Sequence, residues 1–465
     1  MKKILFPILL IGFLFCFSSI PAQQARVYNI VDFGAIGDGS AINTEAINKA
    51  VDECTSNGGG TVLVPRGKFV TGTILLKNNV TLYLENGSIL FGSMDLGHYK
   101  SFRITSQDPE KPIGIRDNPI WLRCLILIDN CQNVTVTGTG TIDGNNLTDK
   151  QGEEGWRGPH GIIVGNSENV KITDVRIARA GNYNILGLNV NDIQMKNLTI
   201  LEGSDGIHIR RGKDMSIVNC KIYTADDAIA GGYWENMLID ECMLNSSCNG
   251  IRMIFPATNM EIKNCEIFGP GVFGHRRGNP YITNTLTGII LQPGAWGRGP
   301  GNMEKVYIHD IRIRDTQTAM TFMLNEKNTG REIRVENVVA TGIYKNACSV
   351  EAWPEESRFE SISFKNIRIS YNVDERTMKT KEFIRPRTES RALPYWGFYA
   401  RNVDLIEMEN VVLKYDGEEI RPVMGFDNVK DVVLKKVSYK TVPNIGQFKY
   451  SEGTKIKKTG CSGFQ

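Results

Sequence analysis

Apolar and polar residues alternate in short stretches that recur along most of the chain. Such stretches begin at residues 133, 169, 192, 214, 236, 259, 305, 332, 361, 405 and 431, as in NVTVTG, DMSIVNCKI and NMEIKNCEI. A period of two residues predicts β-strands. From 192 to 259 the steps are 22, 22 and 23 residues. A fixed step of this size with several short strands predicts one turn of a parallel β-solenoid. We therefore expect an all-β fold, a single parallel β-helix.

The repeat places four small side chains at the same position of successive coils. They are Leu198, Cys220, Cys242 and Cys265. Because free cysteine is commonly buried, we interpret them as an interior ladder of small hydrophobic residues. Stacked strands lie about 4.8 Å apart, which is within reach of a disulfide, so disulfides along the ladder are the alternative.

The region before the repeats has a helical pattern. Residues 44–54 follow FGAIGDG, with Asn43 as the predicted N-cap and three glycines at 58–60 as the stop signal. The apolar residues that share one face of this helix are Ile47, Ala50, Val51 and Cys54. We expect the helix to cap the open N-terminal end of the solenoid.

The first residues have the pattern of a secretory leader. Two lysines precede an apolar run over residues 4–17, and Pro-Ala-Gln at 21–23 offers a cleavage site. We expect a signal peptide over 1–22 and one catalytic domain over 23–465. The protein is then exported, to the periplasm or the exterior.

Composition excludes several classes of partner. The formal net charge of +3 gives no electrostatic argument for nucleic acid. No later segment approaches the roughly 20 apolar residues of a membrane span. No cysteine or histidine cluster has zinc spacing, so no structural zinc is expected.

Two adjacent aspartates in the stretch TADDAIAGG, Asp226 and Asp227, are the first candidates for chemistry. Two carboxylates in one site raise one pKa, so that one group holds a proton while the other stays ionised. Steps of 22 residues align Asp205, Asp227 and Asn249, which should stack at one corner of three consecutive coils. Asp226 precedes Asp227 at the same corner.

The residues after these three positions alternate between the two faces of a strand. The isoleucines at 207, 229 and 251 should point inward, and His208, Ala230 and Arg252 outward. We expect three carboxylates, a histidine and an arginine on one exposed surface, with alternate coils about 10 Å apart. Inverting glycosidases need an acid and a base about 6.5–9.5 Å apart. Asp-Gly and Asn-Gly turns are the alternative interpretation.

Beyond these features, the chain resembles glycoside hydrolase family 28, the polygalacturonase-like right-handed parallel β-helices of pectin breakdown. The resemblance covers FGAIGDG, GGGTVLVPRGKF, TLYLENGSIL and the central coils. The family motif Asn-Thr-Asp reads Gly-Ser-Asp here and ends at Asp205, and the motif Asp-Asp is intact. The resemblance implies a right-handed helix. It further implies that Asp226 protonates the leaving oxygen, while Asp205 and Asp227 activate water.

Two further family motifs are altered. Asn249 stands where the family has a histidine, and Ile-Leu-Gln at 290–292 best matches its Arg-Ile-Lys. In the family these cations contact the uronate carboxylate of the substrate, so the resemblance puts Asn249 and Gln292 in the substrate-binding region. The cations that could replace the lost charge are Arg210, Arg211, Arg252 and the His-Arg-Arg run at 275–277. The alternative is that the bound sugar is neutral, such as rhamnose or galactose.

Aromatic residues and histidines complete the candidate binding surface. His160 follows Trp156 in a loop before the aspartates, Trp234 follows them, and Trp296 follows the strand that ends near Gln292. Aromatic rings stack on sugar faces, so a surface lined in this way suits a glycan. His208 is expected to orient an aspartate or to contact substrate. The basic stretches 376–391 and 454–458 are interpreted as solvated segments.

The sequence thus favours an inverting glycoside hydrolase of a pectic or related polysaccharide. No metal or cofactor is expected, the partner is the polysaccharide or an oligosaccharide, and the protein should be a monomer. A β-helical lyase with Ca²⁺ on the aspartates and Arg252 as base is the first alternative. A non-catalytic glycan-binding solenoid is the second. The insert at 144–158 could close one end of the binding surface.

Overall fold

The computed structural model describes residues 26–104, 119–276, 281–372, 385 and 388–465. The predicted leader at 1–22 and Arg277 lie outside the described residues. One α-helix, α1 (Thr44–Ser56), precedes most of the strands. Short 3₁₀ helices span Ile30–Phe33, Leu96–His98, Pro119–Leu122 and Glu153–Gly155.

Nearly all other regular structure in the described ranges is β-strand. The strands of the first half are β1 (Val27–Asn29), β2 (Asp38–Ile42), β3 (Gly60–Val64), β4 (Gly67–Thr71), β5 (Ile74–Leu76), β6 (Val80–Leu84), β7 (Ser88–Gly92), β8 (Cys124–Asp129), β9 (Gln132–Gly138), β10 (Thr141–Asp143), β11 (His160–Gly165), β12 (Glu168–Thr173), β13 (Arg176–Ala178), β14 (Ile185–Lys196), β15 (Thr199–Leu201), β16 (Ile207–Val218) and β17 (Lys221–Thr224). Those of the second half are β18 (Ile229–Asp240), β19 (Met243–Ser246), β20 (Asn249–Met253), β21 (Ala257–Lys263), β22 (Glu266–Phe268), β23 (Thr287–Leu291), β24 (Met303–Arg314), β25 (Thr318–Leu324), β26 (Thr329–Ile343), β27 (Cys348–Ala352), β28 (Arg358–Asn372), β29 (Phe398–Asp416), β30 (Met424–Lys440), β31 (Phe448–Tyr450), β32 (Lys455–Thr459) and β33 (Ser462–Phe464).

Strands pair in parallel with strands of the preceding and following coils, and those of the first and last coils pair on one side only, so the chain forms a right-handed parallel β-helix. The alternating stretches found in the sequence are one continuous ladder. Its inward positions run Val134, Val170, Ile193, Met215, Met237, Met260, Val306, Ile333, Ile362, Ile406 and Val432. The predicted fold class and coil register are therefore confirmed.

A continuous apolar column fills the interior of the helix. The predicted ladder at Leu198, Cys220, Cys242 and Cys265 is part of it, with every side chain at most 2% exposed. The three cysteines are free thiols. The interpretation as small buried hydrophobic residues is confirmed, and the disulfide alternative is not.

Corners of the coils, both between strands and within the long strands such as β18, are marked by asparagine and aspartate in the left-handed conformation. Asn236 has φ 56°, and its amide donates to Asp214 Oδ1 at 2.6 Å while its own Oδ1 accepts from Asn259 at 2.7 Å. Asparagine adopts this conformation at lower cost than other non-glycine residues. The stacked amides give each corner a hydrogen bond to the next coil.

The N-terminal cap forms as predicted. The buried face of α1 consists of Ile47, Ala50, Val51 and Cys54. Asn43 is the N-cap residue, but its side chain bonds Ile36 N at 2.6 Å instead of the helix. The helix covers the first coil and shields its apolar interior. Within the described residues, no helix has the length and apolarity of a membrane span.

Replacement of Asn236 tests what the corner amides contribute. Both Asn236→Gly and Asn236→Ala lose the two hydrogen bonds to neighbouring coils. Only alanine, which has a Cβ atom, is strained by the left-handed backbone conformation. We expect Asn236→Ala to be less stable than Asn236→Gly by about 1 kcal/mol in urea unfolding. Equal stability of the two variants would contradict this account of the corner.

Candidate active site

A cavity of about 390 Å³ opens on the outer face of the sheet that contains β11, β14, β16, β18 and β20. Polar and apolar side chains share its wall. The described residues that line it are Trp121, Leu122, Glu153, Glu154, Arg157, His160, Tyr183, Leu186, Asp205, His208, Arg210, Asp226, Asp227, Ala230, Arg252, Ile254, Phe255 and Trp296. This volume lies at the small end of the range for ligand pockets.

The coil register brings the predicted residues together. His208, Ala230 and Arg252 are neighbours across β16, β18 and β20, and the isoleucines before them point into the core. The Gly206 amide donates to the Asp227 carbonyl at 3.0 Å, which stacks the two aspartate corners. All three aspartates are at most 6% exposed. The predicted corner is therefore observed.

Asp226 is held by an arginine and a histidine that the sequence did not connect to it. Its Oδ2 accepts from Arg157 Nη2 at 2.7 Å and lies 3.3 Å from His275 Nε2. Burial raises the pKa of Asp226, but His275 and Arg157 outweigh burial and hold it well below the usual range. Its surroundings thus favour the carboxylate form of Asp226.

Asp205 has the opposite electrostatic environment. Burial, and then the neighbouring Asp226 and Asp227, raise the pKa of Asp205 well above its usual range. Its Oδ2 lies 2.6 Å from His208 Nδ1, and Arg210 Nε donates to His208 Nε2 at 2.9 Å. Because arginine can only donate, His208 carries its proton on Nδ1 and donates it to Asp205.

Asp227 is held through both of its oxygens. Asn249 donates to Oδ1 from its side-chain amide at 2.8 Å and from its backbone amide at 3.1 Å. Arg252 Nη1 donates to Oδ2 at 3.1 Å, and its Nη2 bonds the carbonyl of Thr388 at 2.8 Å and the carboxylate of Glu389. Asn249 does not line the cavity, so it positions an aspartate.

His160 lies in the wall as a neutral ring. Its Nε2 faces the Trp121 carbonyl at 2.8 Å, and its Nδ1 accepts from the Tyr183 amide at 3.3 Å. A carbonyl only accepts, so the proton is on Nε2. Burial lowers the pKa of His160 to about 4. His208 is also neutral, because burial and then Arg210 lower its pKa. Tyr183 stacks on His208, with ring centroids 4.7 Å apart.

The aromatic predictions are only partly correct. Trp296 lines the cavity and is 46% exposed. Trp234 is wrong as a sugar contact, because it is 1% exposed in the core and donates to the Ile209 carbonyl at 2.8 Å. It follows the left-handed residue Tyr233, where the chain turns away from the cavity. Trp121, which the sequence analysis did not select, lines the cavity.

The altered fourth motif lies beside the cavity without lining it. Ile290 is in register with Arg252 and is fully buried. Gln292 is also fully buried, and neither of its amide atoms has a hydrogen-bond partner in the described residues. The expectation that Gln292 contacts the bound sugar therefore has no support from its position.

The expected exposed surface is instead a recess. His208 and Arg252 are each only 4% exposed, because residues 147–158 and 388–391 cover the sheet from two sides. Residues 376–384, 386 and 387 of the basic stretch 376–391 lie outside the described residues. At Thr388 and Glu389 the interpretation as solvated is wrong, because both bond Arg252. Non-local loop contacts of this kind leave no periodic signal in a sequence. The run Trp-Arg-Gly-Pro-His, which ends at His160, was the only hint of Arg157.

The donor set does not suit calcium. Asp226, Asp227 and Cys248 each place one ligand atom within 4.8 Å of the others. Calcium takes six to eight oxygen ligands, and a thiol is a soft donor. Arg157 and Arg252 already occupy one oxygen of each aspartate. The arrangement therefore suits proton transfer better than cation binding.

Comparison with known proteins identifies the architecture. The family model "Glycosyl hydrolases family 28" matches residues 54–251. A Vitis vinifera protein named "Probable polygalacturonase" is 26% identical over 64% of this chain and 62% of its own length. The Arabidopsis thaliana "Exopolygalacturonase clone GBGE184" is 24% identical over 69% of this chain and 71% of its own. The matched region thus spans less than two thirds of the grapevine protein.

A solved structure shares the fold. The exopolygalacturonase of Thermotoga maritima superimposes with a TM-score of 0.53 over 94% of this chain and 91% of its own, at 15% identity. This likeness supports the parallel β-helix.

The buried pair of Arg157 and Asp226 should matter for stability. Removing one partner of a buried ion pair leaves an uncompensated charge, so we expect Arg157→Met to lower the free energy of unfolding by about 3–5 kcal/mol. Arg179 is the matched control, because it pairs with Asp143 but is 39% exposed. Arg179→Met should cost less than about 1 kcal/mol. Equal losses in urea unfolding would contradict the buried role of Arg157.

Proposed function

We propose that this chain, which belongs to glycosyl hydrolases family 28, hydrolyses glycosidic bonds in a pectic or related polysaccharide. The observation that carries the proposal is the set of three buried aspartates, each with different partners, in one small cavity. The names of its polygalacturonase relatives agree with this substrate class. The leader predicted at 1–22 suits an enzyme whose polymeric substrate stays outside the cell.

The mechanism we propose is direct displacement by water with inversion. Asp226 gives a proton to the leaving glycosidic oxygen, as the family resemblance implies. On the opposite side of the sugar ring, Asp227 takes the proton of the attacking water, and Asp205, whose raised pKa makes it a poor acceptor in acid, orients that water. Asn249 and Arg252 hold Asp227 in its acceptor form. His208 orients Asp205 through its Nδ1 proton.

The environment of Asp226 sets the pH range of such an enzyme. A general acid works only in its protonated form, and Arg157 and His275 favour the carboxylate. An acid with a lowered pKa loses its proton at a lower pH. We therefore propose an enzyme that is most active in acid, where Asp226 holds its proton in the substrate complex.

The walls of the cavity favour removal of a terminal sugar. Glu153 and Arg157 come from the insert on one side, and Glu389 closes the sheet beyond Arg252 on the other. A recess bounded at both ends admits one end of a chain more easily than its middle. The names of several relatives, such as the Arabidopsis exopolygalacturonase, agree with this mode of action.

A lyase is the less favoured alternative. Its base would be Arg252, which has to lose a proton before it can accept one from the sugar. Burial lowers the pKa of Arg252, but Asp227 and Glu389 raise it well above its ordinary value. A guanidinium held between two carboxylates is a poor base, so this site favours hydrolysis.

Product analysis tests hydrolysis directly. The full chain is incubated with polygalacturonan and rhamnogalacturonan fragments, with and without EDTA. We expect saturated products of inverted anomeric configuration by NMR, unaffected by EDTA. Asp226→Asn should lower kcat by about 10²- to 10⁴-fold, since the proton donor is lost.

The control for this experiment is Asp240→Asn, on the same strand system but away from the cavity, which should keep full activity. Unsaturated products that disappear with EDTA would instead establish the lyase. Binding without any product would establish a glycan-binding protein.

The pH profile tests the role of Asp226. Arg157→Gln removes a cation 2.7 Å from its carboxylate, so the pKa of Asp226 should rise. If Asp226 is the acid, the basic limb of the kcat profile moves to higher pH. His275→Gln should move the same limb in the same direction. Movement of the acidic limb instead would make Asp226 the base and overturn the assignment.

A further inference from the structure

We propose that the sugar unit held in the cavity is uncharged, so that the enzyme cleaves beside a neutral sugar of an otherwise acidic polysaccharide. The inference rests on the proposed hydrolase function and narrows its substrate class. It follows from the charges around the cavity, from how its arginines are engaged, and from the apolar part of its wall.

Carboxylates outnumber cations among the described residues of the cavity wall. The carboxylates are Glu153, Glu154, Asp205, Asp226 and Asp227, and the cations are Arg157, Arg210 and Arg252. His160 and His208 are neutral, since burial lowers the pKa of both. Even with one proton retained on Asp205, the wall carries an excess of negative charge. A uronate carboxylate would add a like charge to it.

Two of the three arginines are already neutralised. Arg157 is 3% exposed and lies 2.7 Å from Asp226 and 3.3 Å from Glu154. Arg252 is 5% exposed and lies between Asp227 and Glu389. Each guanidinium is thus already paired with a buried protein carboxylate, and a substrate carboxylate that displaced it would leave the displaced charge uncompensated.

The positions at which the family resemblance expects uronate-binding cations are also neutral. Asn249 directs its amide to Asp227 and is absent from the cavity wall. Ile290 and Gln292 are fully buried beside it. The described segment 388–391 adds the carboxylate of Glu389 at this end of the site, while its one cation, Arg391, bonds Glu351 at 2.7 Å and does not line the cavity.

The remaining wall is suited to the faces of an uncharged sugar ring. The apolar and aromatic residues that line the cavity are Trp121, Leu122, Tyr183, Leu186, Ala230, Ile254, Phe255 and Trp296. The C–H faces of a hexose or deoxyhexose bind such surfaces by burial and stacking. The acidic side chains then accept hydrogen bonds from hydroxyl groups.

Arg210 is the strongest argument against the proposal, and the experiment must include it. Its Nε bonds His208, and its guanidinium borders the cavity. If this residue binds a substrate carboxylate, acidic sugars will be preferred and Arg210→Met will remove the preference. If the proposal is correct, Arg210 acts mainly on His208, and its replacement leaves the preference for neutral sugars in place.

The test uses two matched pairs of probes. The first pair is trigalacturonate and its carboxyl-reduced counterpart, which differ only in charge. The second pair is rhamnogalacturonan oligosaccharides that end, at the non-reducing end, in either rhamnose or galacturonate. Binding to the full-length Asp205→Asn variant, which leaves the pair of Arg157 and Asp226 in place, is measured by calorimetry, and kcat/KM is measured with the parent chain. Binding thus tests charge selection separately from catalysis.

We expect the neutral member of at least one pair to bind and react about tenfold better, or more. Glu153→Gln combined with Glu154→Gln should narrow this ratio, because it removes two like charges from the wall. Tighter binding of the acidic member of either pair would overturn the inference. Saturated products formed from that acidic probe would still leave the hydrolase proposal intact. Binding of a neutral probe without any hydrolysis would support the inference and overturn the proposed function. No binding of any probe would overturn both.

Discussion

The parallel register between successive coils is the constraint on which the rest of the molecule depends. A step of about 22 residues places equivalent positions on top of one another, so a property of one coil becomes a column through many. Inward columns form the apolar core, and corner columns form asparagine ladders. The column of Asp205, Asp227 and Asn249 concentrates polar groups in the same way. The site thus arises where polar residues occupy a few equivalent positions of a periodic scaffold.

Periodicity also determines what could be predicted from the sequence. The strands, the coil register, the buried cysteine column and the stacked aspartates all follow from residues 22 or 23 positions apart, and all were predictable. Arg157 and His275 reach Asp226 from loops whose length and path follow no repeat. Trp234 failed for a related reason, since one left-handed residue before it turns its side chain into the core. Pattern-based interpretation succeeds for side chains that are positioned by the coil register and fails for side chains that are positioned by loops.

The loops change the electrostatics as well as the shape. On an open sheet the three aspartates would be solvated and similar to one another. Under the covering segments each acquires its own partners, Arg157 for Asp226, His208 for Asp205, and Asn249 with Arg252 for Asp227. Burial magnifies these differences, because charges interact more strongly away from water. Three chemically identical side chains thereby become suited to different steps of one reaction.

The departure at Asn249 shows how a site can keep a type of interaction while losing a residue. Asn249 keeps a hydrogen bond to Asp227 but cannot carry a proton or a charge at its position in the ladder. A histidine nevertheless reaches the aspartate corner, because His275 contacts Asp226 from the segment after β22. In this chain the ionisable group beside the aspartates therefore comes from a loop, and the periodic scaffold contributes an amide. The His275 contact favours the carboxylate form of Asp226.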